Sequence, residues 1–184
     1  LHEKNDSTIR DSITTVSRIH LELGIPVGYR VSCGMNLQEE CTNLVNTELD
    51  VFGRQPQLEV ATFAAWQTMQ AAAIKDDIVL QIISAYRSFD YQKQMFIRKM
   101  ARGDSLSAIL QVNAAPGYSE HHSGRAVDIG CPGYPFLEVN FETSPAFAWL
   151  SVCAEKFGFH MSFPKENPFG VCYEPWHWCF IKQD

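Results

Sequence analysis

The 184-residue chain is 46% hydrophobic and carries 15 lysines and arginines against 21 aspartates and glutamates, for a formal charge of -6 and a pI near 5.5. This is enough apolar material for one compact domain with its own core, and too little positive charge for a phosphate backbone or an anionic lipid surface, so nucleic acid is set aside as a partner. No apolar run approaches the roughly 18–20 residues of a membrane helix, and the longest, Ile78–Ile83, is interrupted by Gln81.

The chain opens on Leu1 rather than Met, with a polar start to Ser7 expected to fray. This fits removal of a leader, by processing or by truncation. Ile9, Ile13, Val16, Ile19 and Leu21–Leu23 then recur at near-helical spacing until Gly24-Ile25-Pro26 stops the pattern. Tyr29–Ser32 reads as a short strand, and Asn36–Leu49 as a second short helix or a structured loop. The alanine-rich run from Val60 to Ala73 predicts a helix within Gln57–Lys75 that packs its apolar face on a sheet. Ile78–Tyr86 is β-branched and bounded by polar residues, as a buried strand is, and it delivers Arg87 to its end. Helices are expected over Asp90–Ala101 and Leu106–Asn113, and a loop over Ala114–Tyr118. A strand over Arg125–Ile129 carries Asp128. Residues 145–157 form a helix closed by Gly158, followed by strands over Phe159–Phe163 and Trp176–Ile181. With no repeat, low-complexity tract or linker, the pattern predicts a single α+β domain over residues 1–184.

Six cysteines (Cys33, Cys41, Cys131, Cys153, Cys172, Cys179) include no Cys-x-x-Cys pair. They predict disulfides formed in an oxidising compartment, with Cys33 and Cys41 closing a short, plausible loop. The alternative is six buried thiols acting as small apolar side chains.

Ser119-Glu120-His121-His122-Ser123-Gly124-Arg125-Ala126-Val127-Asp128 is answered near the C-terminus by Glu174-Pro175-Trp176-His177. A hydrolytic zinc site keeps three protein ligands and leaves one position open, and His121, Asp128 and His177 can make that set around one Zn2+ ion. Glu174, three residues before His177, is the natural general base. Regular strand geometry would put those two on opposite faces, but Pro175 favours a strand start or bulge. Glu174 is therefore expected just before the final strand and His177 inside it, both facing the metal. Trp176 and Trp178 would turn to the other face or wall the cleft. His122, adjacent to a ligand, should point away. Cys131 as a nucleophile beside His121 would give a cysteine hydrolase, but nothing in its surroundings is activating.

The spacing Ser119-x-His121-x-x-Gly124-x-Ala126-x-Asp128 followed by Glu174-x-Trp176-His177 closely resembles the VanY-type D-alanyl-D-alanine carboxypeptidases. These are zinc peptidases in a group that includes D-Ala-D-Ala dipeptidases and shares a core with the hedgehog signalling domain. Ser84-Ala85-Tyr86-Arg87-Ser88 with Gln92, Phe157-Gly158-Phe159 and Phe163-Pro164-Lys165 resemble further segments of that family. The resemblance covers about residues 55–182. It implies a hedgehog/DD-peptidase-like α+β fold with an antiparallel-rich central sheet flanked by helices; residues 1–54 fall outside it and are expected as an N-terminal extension packed on the core. It also implies His121, Asp128 and His177 as zinc ligands, Glu174 as base, Arg87 as oxyanion or substrate partner, and Ser119, Gln92 and Trp176 as substrate contacts. The departures are Ala85 for a common glycine and Ser162-Phe163 where the family often has Arg-Tyr. The implied activity is removal of the C-terminal D-alanine from peptidoglycan stem peptides by a monomeric, exported protein, periplasmic or extracellular. An L,D-carboxypeptidase or a D-Ala-D-Ala dipeptidase would use nearly the same residues. From another class, a zinc-containing binding module without turnover would need neither Glu174 nor Arg87.

Overall fold

The computed structural model describes residues 2–181, with side chains from residue 10 onward. The first helix, α1, spans His2–Leu23 and buries Val16, Ile19 and Leu23 on one face. The polar start expected to fray lies within its backbone, while Leu1 and the side chain of Ile9 fall outside the described residues. Tyr29–Ser32 forms a short helix, α2, and not the expected strand. Pro26 O accepts from Tyr29 N at 2.9 Å and Tyr29 O from Cys33 N at 2.9 Å, so local turns satisfy this backbone, and among the described residues no strand pairs with it. The segment that follows is the structured-loop alternative, ending in β1 (Leu44–Asn46), which pairs antiparallel with β2 (Gln57–Glu59).

Helix α3 (Val60–Lys75) starts where Glu59 accepts from Thr62 N. Helix α4 (Phe89–Ala101) is capped by Ser88 and α5 (Leu106–Val112) by Ser105, each hydroxyl satisfying a first-turn N–H that the helix cannot. Helix α6 (Pro145–Cys153) runs into a 3-10 turn, Ala154–Phe157, closed by Gly158 at φ 81°.

The main sheet holds β3 (Gln81–Ser84), β4 (Ala126–Gly130), β5 (Phe159–Met161) and β6 (His177–Phe180). Their order is β3-β4-β6-β5 and every pairing is antiparallel. Alternation along β4 divides the labour. Val127 and Ile129, with Trp178 of β6, pack against Trp66 and Met69 of α3 and Leu150 of α6, while Asp128 belongs to the opposite face. A second cluster joins α1, α4 and α5 through Val16, Ile19, Phe96 and Ile109. The site lies between the two.

All six cysteines are free thiols, which corrects the disulfide expectation. Cys33 packs in the helical cluster, whereas Cys41 is tied by its backbone N–H to His122 O at 2.8 Å, so the short loop between them joins two different layers. Cys131 and Cys179 are buried and burial raises both thiols above their ordinary value, leaving inert apolar side chains.

Candidate active site

Sheet register builds the centre of the site. Ser84 pairs with Asp128 and Asp128 with His177, so one cross-strand row brings the carboxylate and an imidazole side by side. His121 arrives from the 3-10 turn Glu120–Ser123, which leads into β4 through Gly124. Gly124 has φ 68°, and a Cβ there would come within 3.0 Å of Glu59 N and of Leu44 Cδ2. Only glycine fits so tight a left-handed turn against β2. One ligand atom from each of His121, Asp128 and His177 lies within 4.8 Å of the others, and all three residues are buried.

The protonation pattern is asymmetric. His121 Nδ1 donates to Ala85 O at 2.6 Å; burial, reinforced by the charge of Arg87, lowers its pKa to about 4. Its Nε2 is therefore an unprotonated acceptor, 3.3 Å from Asp128 Oδ1 and, though buried, without a hydrogen-bond donor among the described residues. His177 is the opposite case. Burial opposes its charge, yet hydrogen bonds to Asp128 (Nδ1, 3.0 Å) and Glu120 (Nε2, 2.9 Å) outweigh burial and raise it to about 10. Burial works against ionisation of Asp128 as well, but its two histidine neighbours hold it far below the ordinary carboxylate range.

Glu174 sits where a turn replaces the strand: His177 N donates to Glu174 O at 3.1 Å, and Glu174 Oε2 lies 3.9 Å from His177 Nδ1. This turn puts residues three apart on the same side, as the position of Pro175 predicts. Burial raises the Glu174 carboxyl to about 7, with Asp128 and Glu120 adding to it and His177 and Arg87 opposing. Arg87, delivered by β3, makes a weak contact from Nη1 to Met95 Sδ at 3.9 Å, and its buried Nε has no partner. His122 turns away from the cluster. Its Nδ1 donates to Arg87 O at 2.6 Å and its Nε2 accepts from Gly117 N at 3.1 Å, which fixes the backbone under Arg87.

Two connected spaces meet at Arg87, Asn113 and Glu174. One is a cleft of about 410 Å³ walled by Trp176, by Phe52 and Arg54 of the N-terminal segment, and by Tyr91, Met95 and Lys99 of α4. The other is a recess of about 30 Å³ faced by Ser119, Gln92, His121 and His177. Gln92 Nε2 donates to Ala114 O at 2.9 Å, while its buried Oε1 has no partner. Arg87, Glu174 and Trp176 thus line the cleft, and Ser119 and Gln92 the recess, around the His121–Asp128–His177 cluster, while His122, Trp178 and Cys131 lie away from it.

Sequence reasoning missed Glu120, Arg54, Lys99 and Asn113. For Glu120 a signal existed, a carboxylate next to a ligand-type histidine. Burial would raise Glu120, but its hydrogen bond to His177 brings it down to about 2, the behaviour of a carboxylate that orients a metal-ligating imidazole. The other three come from separate elements and share no sequence pattern.

Fold and cluster together define the class: an α+β domain whose antiparallel sheet presents a buried His–Asp–His group that could hold a metal ion, with an acid beside it. The chain belongs to the VanY D-alanyl-D-alanine carboxypeptidase family, whose pattern matches residues 55–183. It is 36% identical over 120 residues to Bacillus subtilis YodJ. To a D-alanyl-D-alanine carboxypeptidase of Enterococcus faecalis it is 26% identical over 157 residues, 80% of this chain. These matches span 44% and 57% of the two relatives' own lengths. Among solved structures, the LdcB LD-carboxypeptidase superposes with TM-score 0.70 at 29% identity, covering 80% of this chain and 74% of that one. A vancomycin-resistance D,D-pentapeptidase VanY variant in complex with Zn(II) gives TM-score 0.57 at 24% identity, over 83% and 82% of the two chains, a likeness of fold.

Proposed function

We propose that this chain is a zinc-dependent carboxypeptidase that removes the C-terminal D-alanine from peptidoglycan stem peptides outside the cytoplasmic membrane. The observation that carries the reading is the buried, unpartnered His121 Nε2, aimed at Asp128 inside a His–Asp–His set. An orphaned buried acceptor is costly unless something fills the position, and two imidazoles with one carboxylate suit a zinc ion with an open site. His121 Nε2, Asp128 Oδ1 and His177 Nδ1 would hold it, with Glu120 fixing the far nitrogen of His177. What the ion supplies when bound is Lewis-acid polarisation of the scissile carbonyl and acidification of a water.

The remaining work falls to the chain's own groups. Burial raises the Glu174 carboxyl to about 7, so it can take a proton from water and return it to the departing amine. The guanidinium of Arg87, with no carboxylate partner among the described residues, stabilises the negative charge that develops on the carbonyl oxygen. Gln92 Oε1 is free to accept a substrate N–H, the Ser119 hydroxyl can donate to the terminal residue, and Trp176 lines the cleft for the rest of the peptide.

A second reading, an L,D-carboxypeptidase acting on tetrapeptide stems, is supported by the likeness to LdcB. D-alanine release from a pentapeptide and from a tetrapeptide stem, with and without chelator, separates the two. Chelator-sensitive release from the pentapeptide that vanishes in Glu174→Ala is expected for the first reading, and preference for the tetrapeptide for the second. A folded, zinc-loaded protein that releases nothing from either, nor D-alanine from the free dipeptide, would instead be an endopeptidase or a binding module.

A further inference from the structure

Leu137 has φ 57°, a left-handed backbone that strains a leucine, since its Cβ crowds the following carbonyl and its side chain has no polar atom to bond locally in return. Of the three non-glycine residues with positive φ among the described residues, Asp77, Leu137 and Glu166, only Leu137 lines the cleft. Burial does not offset the strain, because Leu137 stays 44% exposed. Its neighbour Phe136 meets Phe52 edge to face, with ring centroids 5.7 Å apart, which joins the loop after β4 to the N-terminal segment. Phe52 is the second apolar group left open on this wall, 57% exposed on a turn in which Gly53 N donates to Asp50 O at 3.0 Å. The buried Asp50 carboxylate holds that turn by accepting from Phe52 N and Arg54 N, both at 2.9 Å, and from Arg54 Nε at 2.6 Å. Val51 N donates to Ile82 O at 3.1 Å and so fastens the turn to β3.

A buried carboxylate and a strained leucine thus hold two apolar side chains open to the cleft, and groups fixed in advance lower the ordering cost of binding. The only acids that line the cleft, Asp128 and Glu174, are used by the cluster and by proton transfer, so this wall offers a substrate side chain apolar contact and no free carboxylate. The Arg54 guanidinium, packed over the Phe52 ring at 4.8 Å, gives no attraction to an ammonium either. We propose that Leu137 and Phe52 form a subsite for a long aliphatic side chain N-terminal to the scissile bond, as a diamino-acid residue of a stem peptide supplies, and that they select its carbon chain rather than its terminal charge. This rests on the carboxypeptidase reading above, in which the recess takes the terminal residue and the connected cleft takes the rest. Burial of about two methylenes is already worth about tenfold in affinity.

The test uses three D-alanine-terminated pentapeptides that differ only at the third residue: lysine, norleucine and alanine. Wild type is expected to process the norleucine peptide with kcat/KM at least about tenfold above the alanine peptide, and the lysine peptide no faster than the norleucine one. Leu137→Asn should bring the norleucine-to-alanine ratio towards one. Because asparagine tolerates the left-handed backbone, this variant should melt no lower than wild type, which separates a role in binding from a role in the fold. Phe52→Ala should narrow the ratio as well, and Leu137→Met should keep most of it. Calorimetric binding of the norleucine and alanine peptides to Glu174→Ala gives the same comparison without turnover. A wild-type ratio near one, a ratio that persists in Leu137→Asn, or lysine well above norleucine would overturn the subsite. A melting temperature that drops in Leu137→Asn would overturn it too, by showing that the leucine serves the fold. Wild type that cleaves none of the three peptides would overturn the carboxypeptidase reading, and this inference with it.

Discussion

The sheet that carries the cluster and the N-terminal segment that leans on it hold the site by different means. Asp128 and His177 are direct neighbours in the β4–β6 ladder, and slipping this register by one residue would turn both to the wrong face. The N-terminal segment instead reaches the site through separate polar contacts. Gln38 N donates to Gly117 O at 2.8 Å and Cys41 N to His122 O at 2.8 Å, Glu40 accepts from Phe89 N at the start of α4, and Arg54 donates to Asp50 at 2.6 Å and to Ile83 O at 2.9 Å. The first arrangement fixes Asp128 and His177 through a continuous backbone ladder. The second positions Arg87, α4 and one wall of the cleft, each from a point that can be removed singly, and it does so with residues ahead of the family match at 55–183.

The largest effects should come from the sheet side. Asp128→Ala or His177→Ala should abolish zinc binding and lower D-alanine release by more than about a thousandfold, read by metal analysis beside the activity assay. Glu174→Gln should cost about a hundredfold to ten-thousandfold in kcat while leaving zinc content intact, which separates the base from the ligands. Glu120→Gln, still able to accept from His177 but without the charge, should weaken zinc affinity about tenfold to a hundredfold in a competition titration with a chromophoric chelator.

On the N-terminal side the effects should be smaller and of another kind. Glu40→Ala removes the acceptor for Phe89 N and should cost about 1 kcal/mol of stability, lowering kcat through Arg87 with zinc affinity unchanged; a parallel loss of zinc would erase the distinction between the two regions. The smallest effect is a pH dependence. Burial would raise Asp50, but its bonds from Arg54 and Phe52 win and its pKa is lowered. Its contribution is therefore present above the unfolded value of about 3.9 and is lost as pH falls through the lower folded value. Urea unfolding of wild type and Asp50→Asn between pH 6 and pH 3 should show the gap between them closing at the acid end.

What could be read from sequence follows the same division. Helices α3 and α4 announce themselves by local composition, and His121 and Asp128 by a short spacing that turn and strand geometry convert into proximity, whereas His177, 49 residues beyond Asp128, joins them only through the β4–β6 pairing. The Glu174–His177 relation is legible for the same reason, because Pro175 signals the turn between them. Tyr29–Ser32 misleads since a β-branched residue and an aromatic in four positions suit a strand, while the preceding Pro26-Val27-Gly28 turn commits the backbone to a helical one. The cysteines mislead because their number speaks of compartment chemistry, whereas their positions scatter over separate layers. Arg54, Lys99 and Asn113 acquire meaning only where three distant segments meet around one cleft, and no local pattern marks such a meeting.

The most direct test is to strip the protein with chelator and titrate zinc back while following D-alanine release from a pentapeptide stem. Activity should return in proportion to zinc and saturate at one ion per chain for wild type, with no recovery in His177→Ala. Release that persists in the stripped protein, or saturation at wild-type stoichiometry in His177→Ala, would contradict a catalytic metal held by the sheet.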